Sequence, residues 1–292
     1  TGVRAIDGLL TCGEGQRVGI FAGAGAGKTT LAEMLLENAD VDVSVVALVG
    51  ERGREVAALV ERLRNTPRAP HIVIVQATSD TAPALRSQAP LIATTIAEYF
   101  RDQGRRVLLV MDSVTRYARA LRELALGAGE PPARRGFPAS VFEALPRLLE
   151  RSGRTRTGSI TAFYTVLLED EQDADPIGEE AKSLLDGHLY LSSRLAGRGH
   201  LPALDVLRSA SRLFASLADP AQQQAAARIR SLLGTLEDLQ LMRDLGEYTP
   251  GLSAAYDKAV ATEPALMAFL RQGQQECSTL PQTLEALRDV SR

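Results

Sequence analysis

Five apolar, β-branched runs govern what this chain can fold into: RVGIFA (Arg17 to Ala22), VSVVALV (Val43 to Val49), HIVIVQA (His71 to Ala77), RVLLVMD (Arg106 to Asp112) and SITAFYTVLL (Ser159 to Leu168). Each is too continuous for a strand with one wet face, so each reads as a strand buried on both sides, as in a parallel sheet. Between them, Thr29 to Asn38, Arg52 to Arg64, Leu91 to Gln103 and Val141 to Glu150 repeat apolar residues at three-and-four spacing, the pattern of helices packed on a sheet. The class is therefore α/β. A sixth strand is expected at Gly187 to Ser192, after a helix near Glu179 to Leu185. Past Asp219 the β signal stops, and from Ala221 onward the chain is Ala-, Leu- and Gln-rich helix with breaks expected at Gly246, Pro250, Pro264 and Gly273. This pattern predicts a core over residues 1–218 and a small all-α domain over 219–292. The stretch GAGEPPARRGFP (Gly127 to Pro138) has turn chemistry without periodicity and reads as a long loop.

Composition narrows the class further. At 292 residues, 45% hydrophobic and 24% charged, the chain can bury a large core and is a poor match to disorder, collagen or coiled coil. Cys12 and Cys277 stand far apart with no paired ligand residues, which argues against a disulfide framework or a zinc site and fits a reducing compartment. A net charge of −3 with no basic tail gives no bulk attraction to nucleic acid or anionic lipid. No apolar run approaches a membrane span, and TGVRAIDGLL lacks the features of a signal peptide. The chain starts at Thr1 rather than Met, so it is expected to be part of a longer protein.

The first strand runs into AGAGAGKTT, Ala22 to Thr30, and then into an amphipathic helix. This is the phosphate-loop pattern in the strand-to-helix setting it requires, with Ala22 in place of the usual leading glycine. Gly23, Gly25 and Gly27, interleaved with Ala24 and Ala26, let successive backbone N–H groups turn toward phosphate oxygens at a helix N-terminus. Lys28 would neutralise the β/γ-phosphates. Thr29 would offer its hydroxyl to Mg²⁺, with Thr30 completing the loop. A Gly/Ala-rich turn with an incidental lysine would look similar, but Lys28 is one of only three lysines among 33 basic residues.

Asp112 ends the RVLLVMD strand at the carboxyl edge, where open α/β sheets present residues to ligands. Alone it could be a helix cap; beside a phosphate loop it reads as the aspartate that holds Mg²⁺. Glu51 and Arg52 leave the second strand at the same edge, in GERGREV. By position, Glu51 is either a base that orients the attacking water or an acidic residue favouring the start of the next helix.

Taken in order, AGAGAGKT, GERGREV, VLLVMDSVTRYARALRE, RRGFPASVFEALPRLLER, GSITAFYTVLLED, DPIGEEAKSLLDGHLYLS and LDVLRSASR resemble the ATPases of bacterial type III secretion systems and their flagellar-export relatives. These are in turn similar to the catalytic subunit of rotary ATP synthases. The likeness runs from Thr1 to about Leu287, including LMRDLGEYTPGLSAAYDKAVATEPALMAFLRQG, which is similar to the family's helical domain. It implies a RecA-like core, ATP and Mg²⁺ as ligands, Glu51 as catalytic glutamate with Arg52 beside it, and Arg212 as the arginine inserted into the next subunit's site. Such a finger is worth about 10³ to 10⁵ in rate.

The resemblance also implies a cytoplasmic homohexamer, peripheral at the inner-membrane export apparatus. Its implied partners are a central stalk, peripheral stator proteins and chaperone–effector complexes. Family members begin with a β-barrel that ties the ring together; none precedes Thr1, so this stretch alone is expected to be monomeric or weakly associated and a poor ATPase. Relatives commonly carry tyrosine before the proline of GRGHLPALD, whereas this chain has Leu201, with Gln274 near the place of a second aromatic. The base platform is thus expected to be weaker.

The remaining residues have plainer readings. His71, His188 and His200 make no ligand spacing. Arg134 and Arg135 either face a central pore or are solvated loop charges, and Phe163 and Tyr164 are packing residues. Three activities compete: ATP hydrolysis that drives protein export in an injectisome, with the flagellar version close behind; a hexameric nucleic-acid motor; and a non-hydrolysing ring subunit. Aromatic residues at 4%, with no Trp, leave no stacking surface for single strands, and no nucleic-acid partner is expected.

Overall fold

The computed structural model describes residues 1–168, 175–251 and 253–292. The first half comprises α1 (Arg4–Leu9), β1 (Arg17–Ala22), α2 (Lys28–Asn38), β2 (Val43–Val49), α3 (Gly53–Arg64), β3 (Ile72–Ala77), α4 (Pro83–Asp102), β4 (Arg106–Asp112) and α5 (Val114–Gly127). Then follow α6 (Ala139–Leu149), β5 (Gly153–Arg154), β6 (Ser159–Leu167), α7 (Pro176–Leu184), β7 (Gly187–Leu191), α8 (Ser193–Gly197), β8 (Leu204–Ser211) and α9 (Phe214–Leu217). Three helices close the chain: α10 (Pro220–Asp244), α11 (Ala254–Leu270) and α12 (Leu280–Val290).

The strands form one sheet in the order β3-β2-β4-β6-β1-β7-β8, with β5 pairing on β6. All six runs expected from the sequence are present and mutually parallel; β8 and the short β5 are antiparallel additions. Strand β8 escaped notice because Asp205 and Arg208 interrupt its apolar pattern, and it pairs with only one neighbour. Two apolar layers cover the sheet. One joins β-strand side chains to α4, α5, α6 and α7, and the other joins them to α2, α3 and the C-terminal helices.

Prolines did not end helices as expected. Helix α4 starts at Pro83, eight residues before Leu91, and runs through Pro90; α11 runs through Pro264. A mid-helix proline removes one backbone hydrogen bond. Here buried apolar stripes, Ala89, Ala93 and Ala97 in α4 and Ala259, Leu266 and Phe269 in α11, hold each helix in place. Helix α10 starts sharply because the Asp219 carboxylate accepts a hydrogen bond from Gln222 N at 2.7 Å. The N-terminal α1 packs on α10, α11 and α12, with Val3, Ile6 and Leu9 in the same apolar cluster as Ile229, Leu266, Phe269 and Leu287. The stretch from Gly127 to Pro138 is irregular, as expected, but folds back on itself: Ala133 N donates to Phe137 O, and Arg135 takes a positive φ of 49°.

Candidate functional site: a phosphate loop at the carboxyl edge of the sheet

Strand β1 delivers its chain end to the carboxyl edge at Ala22, and the next five residues turn it into α2. Gly25 and Gly27 have φ of +75° and +85°, a left-handed conformation that glycine adopts without strain. No side chain caps the N-terminus of α2, so its first backbone N–H groups face the cavity rather than a protein acceptor. Aligned backbone dipoles and unpaired N–H groups make such a terminus an anion site.

The cavity over this loop has a volume of about 650 Å³. Its walls are the loop from Gly23 to Thr30, the Glu51–Arg52 corner after β2, Arg116 and Arg119 from α5, and Leu167 and Leu168 at the end of β6. At its base, the Lys28 ammonium donates to Asp112 Oδ1 at 2.6 Å and lies 3.4 Å from Glu51 Oε1. Asp112 is held from behind by the Thr165 hydroxyl, which donates to the same Oδ1 at 2.7 Å. The sheet brings these residues together from three strand ends and one helix start, although 23 and 84 positions separate Lys28 from its two carboxylate partners.

Burial raises the Glu51 carboxyl above its ordinary value, and the neighbouring Asp112 charge raises it further; Lys28 and Arg116 pull the other way. A carboxylate made more basic this way accepts a proton from water more readily than an exposed one. The donor set also suits a hard cation: Thr29 is exposed to the cavity and the Asp112 carboxylate sits beside Lys28, both oxygen ligands of the kind Mg²⁺ takes.

Other residues singled out from the sequence lie as follows. Arg52 lines the cavity, but its side chain is 80% exposed and pairs with Glu55 at 3.6 Å. Leu201 stands beside the loop: a Cβ on Gly27 would lie 3.8 Å from Leu201 Cδ2. Gln274 donates to Glu33 on α2. Arg212 is not in the cavity. It follows Ser211, which pairs with Gly187, which in turn pairs with Val18, while the phosphate loop follows Ala22, four residues further along the parallel strands. Four strand residues span about 13 Å, so Arg212 leaves at the opposite edge of the sheet, where its Nη2 donates to Lys182 O at 3.3 Å.

Phe163 and Tyr164 are buried packing residues, and the Tyr164 hydroxyl hydrogen-bonds Ser152 Oγ at 2.8 Å. Arg134 is exposed, its guanidinium 6.0 Å from the Phe142 ring centre. His188 Nε2 lies 2.9 Å from Lys182 O, and His200 is buried. Cys12 and Cys277 are both free thiols. Residues 169–174, the first two of which close the GSITAFYTVLLED string, fall outside the described residues.

Sequence reasoning missed Arg116 and Arg119. Ser113 caps α5 by accepting from Arg116 N, which turns the first turn of that helix back over the sheet edge. Arg116 Nε is buried without a hydrogen-bond partner among the described residues, on a side chain that lines the cavity. The available signal was spacing: Arg116 is four residues after Asp112, one helical turn past the strand end.

A glycine loop between a buried parallel strand and an uncapped helix, with a lysine bridging two strand-end carboxylates, defines a phosphate-loop nucleotide-binding protein. Residues 2–211 match the model of the ATP synthase alpha/beta family, nucleotide-binding domain, and residues 218–289 match that of the T3SS EscN ATPase C-terminal domain. The chain belongs to the ATP synthase alpha/beta family.

It is 57% identical over 98% of its length to the SPI-1 type 3 secretion system ATPase of Salmonella typhi, covering 67% of that protein. It is 50% identical over its whole length to the type 3 secretion system ATPase of Xanthomonas euvesicatoria, covering 66% of it. The flagellum-specific ATP synthase of Bacillus subtilis is 45% identical over 99% of the chain, which covers 66% of that relative. The chain thus spans about two thirds of the length of these relatives. The assembled ATPase EscN of the enteropathogenic E. coli type III secretion system superposes on the whole chain with a TM-score of 0.94 at 49% identity, the chain covering 70% of it.

Proposed function

We propose that this protein hydrolyses Mg·ATP to ADP and phosphate and that this reaction energises protein export by a type III secretion system, including release of effectors from chaperones and their unfolding. The observation that carries the reading is the Lys28 ammonium 2.6 Å from Asp112 and 3.4 Å from Glu51 at the mouth of the glycine loop.

In this reading the loop from Gly23 to Thr30 binds the phosphates through its N–H groups and Lys28 neutralises them. Thr29 and Asp112 would hold Mg²⁺, which supplies charge neutralisation on the phosphates when bound. Glu51 orients the attacking water and takes its proton. Arg52 and Arg116 border the space where the terminal phosphate sits. Leu201 offers an apolar surface to the base. Arg212, at the far sheet edge, serves a neighbouring copy, which makes a homohexamer the active form.

The same reading divides the chain into an ATPase unit over 1–218 and a helical unit over 219–292, although α1 packs with the latter. One relative of known structure, EscN, has been solved in complex with its central stalk EscO. By analogy the partners here are a central stalk, peripheral stators and chaperone–effector complexes, at a cytoplasmic site on the inner-membrane export apparatus. Among the described residues, no helix is long and apolar enough to cross a membrane. The higher identity to injectisome than to flagellar relatives, 57% against 45%, favours the injectisome version.

Calorimetric titration with Mg·ATP, alongside phosphate release by the parent and by Glu51→Gln, tests the reading. Binding with turnover that Glu51→Gln removes is the expected result. Absence of Mg·ATP binding by the parent would overturn it.

A further inference from the structure

The connection between α11 and α12 is anchored by one buried side chain, that of Gln272, and its backbone reaches Leu201 beside the phosphate loop. Gln272 is 3% exposed and uses its amide on both sides. Its Oε1 accepts from Arg4 N at 2.8 Å, and its Nε2 donates to Gly2 O and to Glu276 O, each at 2.7 Å. Its own backbone N–H donates to Leu201 O at 2.8 Å. Two residues on, Gln274 donates to Glu33, itself buried on α2, the helix that begins with Lys28. One short connection therefore ties together the first residues of the chain, the phosphate-loop helix and the segment carrying Leu201.

Leu201 is 41% exposed and stands against Gly27. A nucleotide whose phosphates fill the loop carries its base beyond them, and Leu201 is the exposed apolar side chain set against that loop. An aliphatic wall lacks the stacking geometry of a ring, so what it contributes depends on where it is held.

We propose that Gln272 is a positioning residue for nucleotide binding: it fixes the Leu201 main chain and so sets the wall on which the base rests. This rests on the reading of the cavity as an ATP site. Gln272 does not touch the nucleotide and acts only through Leu201. Its satisfied amide suits that task, since a buried polar group bonded on every side has one low-energy orientation.

The test is calorimetric titration with two probes, Mg·ATP and Mg·tripolyphosphate, which shares the phosphates but has no base. Gln272→Ala is expected to weaken Mg·ATP by about tenfold, the scale of one lost buried interaction, and to leave Mg·tripolyphosphate unchanged. Leu201→Ala is expected to do the same, and the double variant to be no weaker than Leu201→Ala alone, because the two residues act in series. Equal weakening of both probes by Gln272→Ala, or losses that multiply in the double variant, would overturn the proposal. A parent that binds tripolyphosphate as tightly as ATP removes the base wall while leaving the phosphate site standing; a parent that binds neither removes both. Gln272→Glu, which keeps the acceptor for Arg4 N and loses the two donations, is expected to reproduce the alanine result if Gln272→Ala does not fold. If neither variant folds, Gln272 is a structural residue and the positioning role falls.

Discussion

At the residue scale, one ammonium between two carboxylates decides the chemistry of the cavity. The trio of Lys28, Asp112 and Glu51 carries one more negative than positive charge, and burial makes Glu51 the member that gives way toward its neutral form. Lys28→Ala should raise the Kd for Mg·ATP by about 10- to 100-fold, the range for a lost charged hydrogen bond, as read by titration calorimetry. Glu51→Gln should leave that Kd unchanged while lowering kcat by about 10²- to 10⁴-fold. The base form of Glu51 is lost as pH falls. Because its carboxyl titrates above the ordinary 4.5 in the free protein, the acid limb of a kcat/KM–pH profile should lie above that value and should vanish in Glu51→Gln. Lys28, Thr29, Asp112 and Glu51 were all legible as motif residues, since each sits at the end of a recognisable strand or at the start of a helix. Arg116 was marked only by its spacing, four residues past Asp112, which does not identify a cavity residue until the cap at Ser113 aims it.

At the element scale, close backbone approach limits what the entry to β6 can carry. Gly158 leads into β6 beneath the α4–β4 turn, where a Cβ would lie 2.3 Å from Arg101 O and 2.7 Å from Arg105 O. Both contacts are backbone and cannot swing aside. Gly158→Ala should therefore cost about 1–3 kcal/mol or more in urea unfolding, the range for overpacking. Gly234, inside α10 with open space around it, is the control: Gly234→Ala should stabilise by about 0.8–1 kcal/mol through helix propensity alone. The same contrast explains the proline errors. Local rules start the helix only after Pro90 and break the C-terminal helix at Pro264, but the loss of one hydrogen bond is small beside the burial of a whole apolar stripe.

At the scale of the whole molecule, the sheet puts the phosphate loop at one edge and Arg212 at the other, so an active site that uses both needs two copies. Specific ATPase activity should rise with protein concentration, and Arg212→Ala should flatten that rise without changing Mg·ATP affinity; sedimentation run beside the activity assay checks both. Two buried histidines contribute to the acid side of stability. Burial lowers the values of His188 and His200 below 6.5, so the fold favours their neutral forms. As pH falls through 6.5 the unfolded chain takes up protons that the folded chain does not, and stability present above that pH should decline; a urea series across pH 5 to 8, about the range where histidine titrates, reads this directly. The strand runs, the glycine loop and the helical tail were determined by the sequence, because burial on both faces and a turn of three glycines leave a local mark. Only the tertiary structure decided that β8 reverses direction, that α1 joins the C-terminal helices, that Arg116 enters the cavity and that Gln272 holds Leu201. Each of these depends on contacts between residues far apart in the chain, and such contacts leave no periodicity for a single sequence to display.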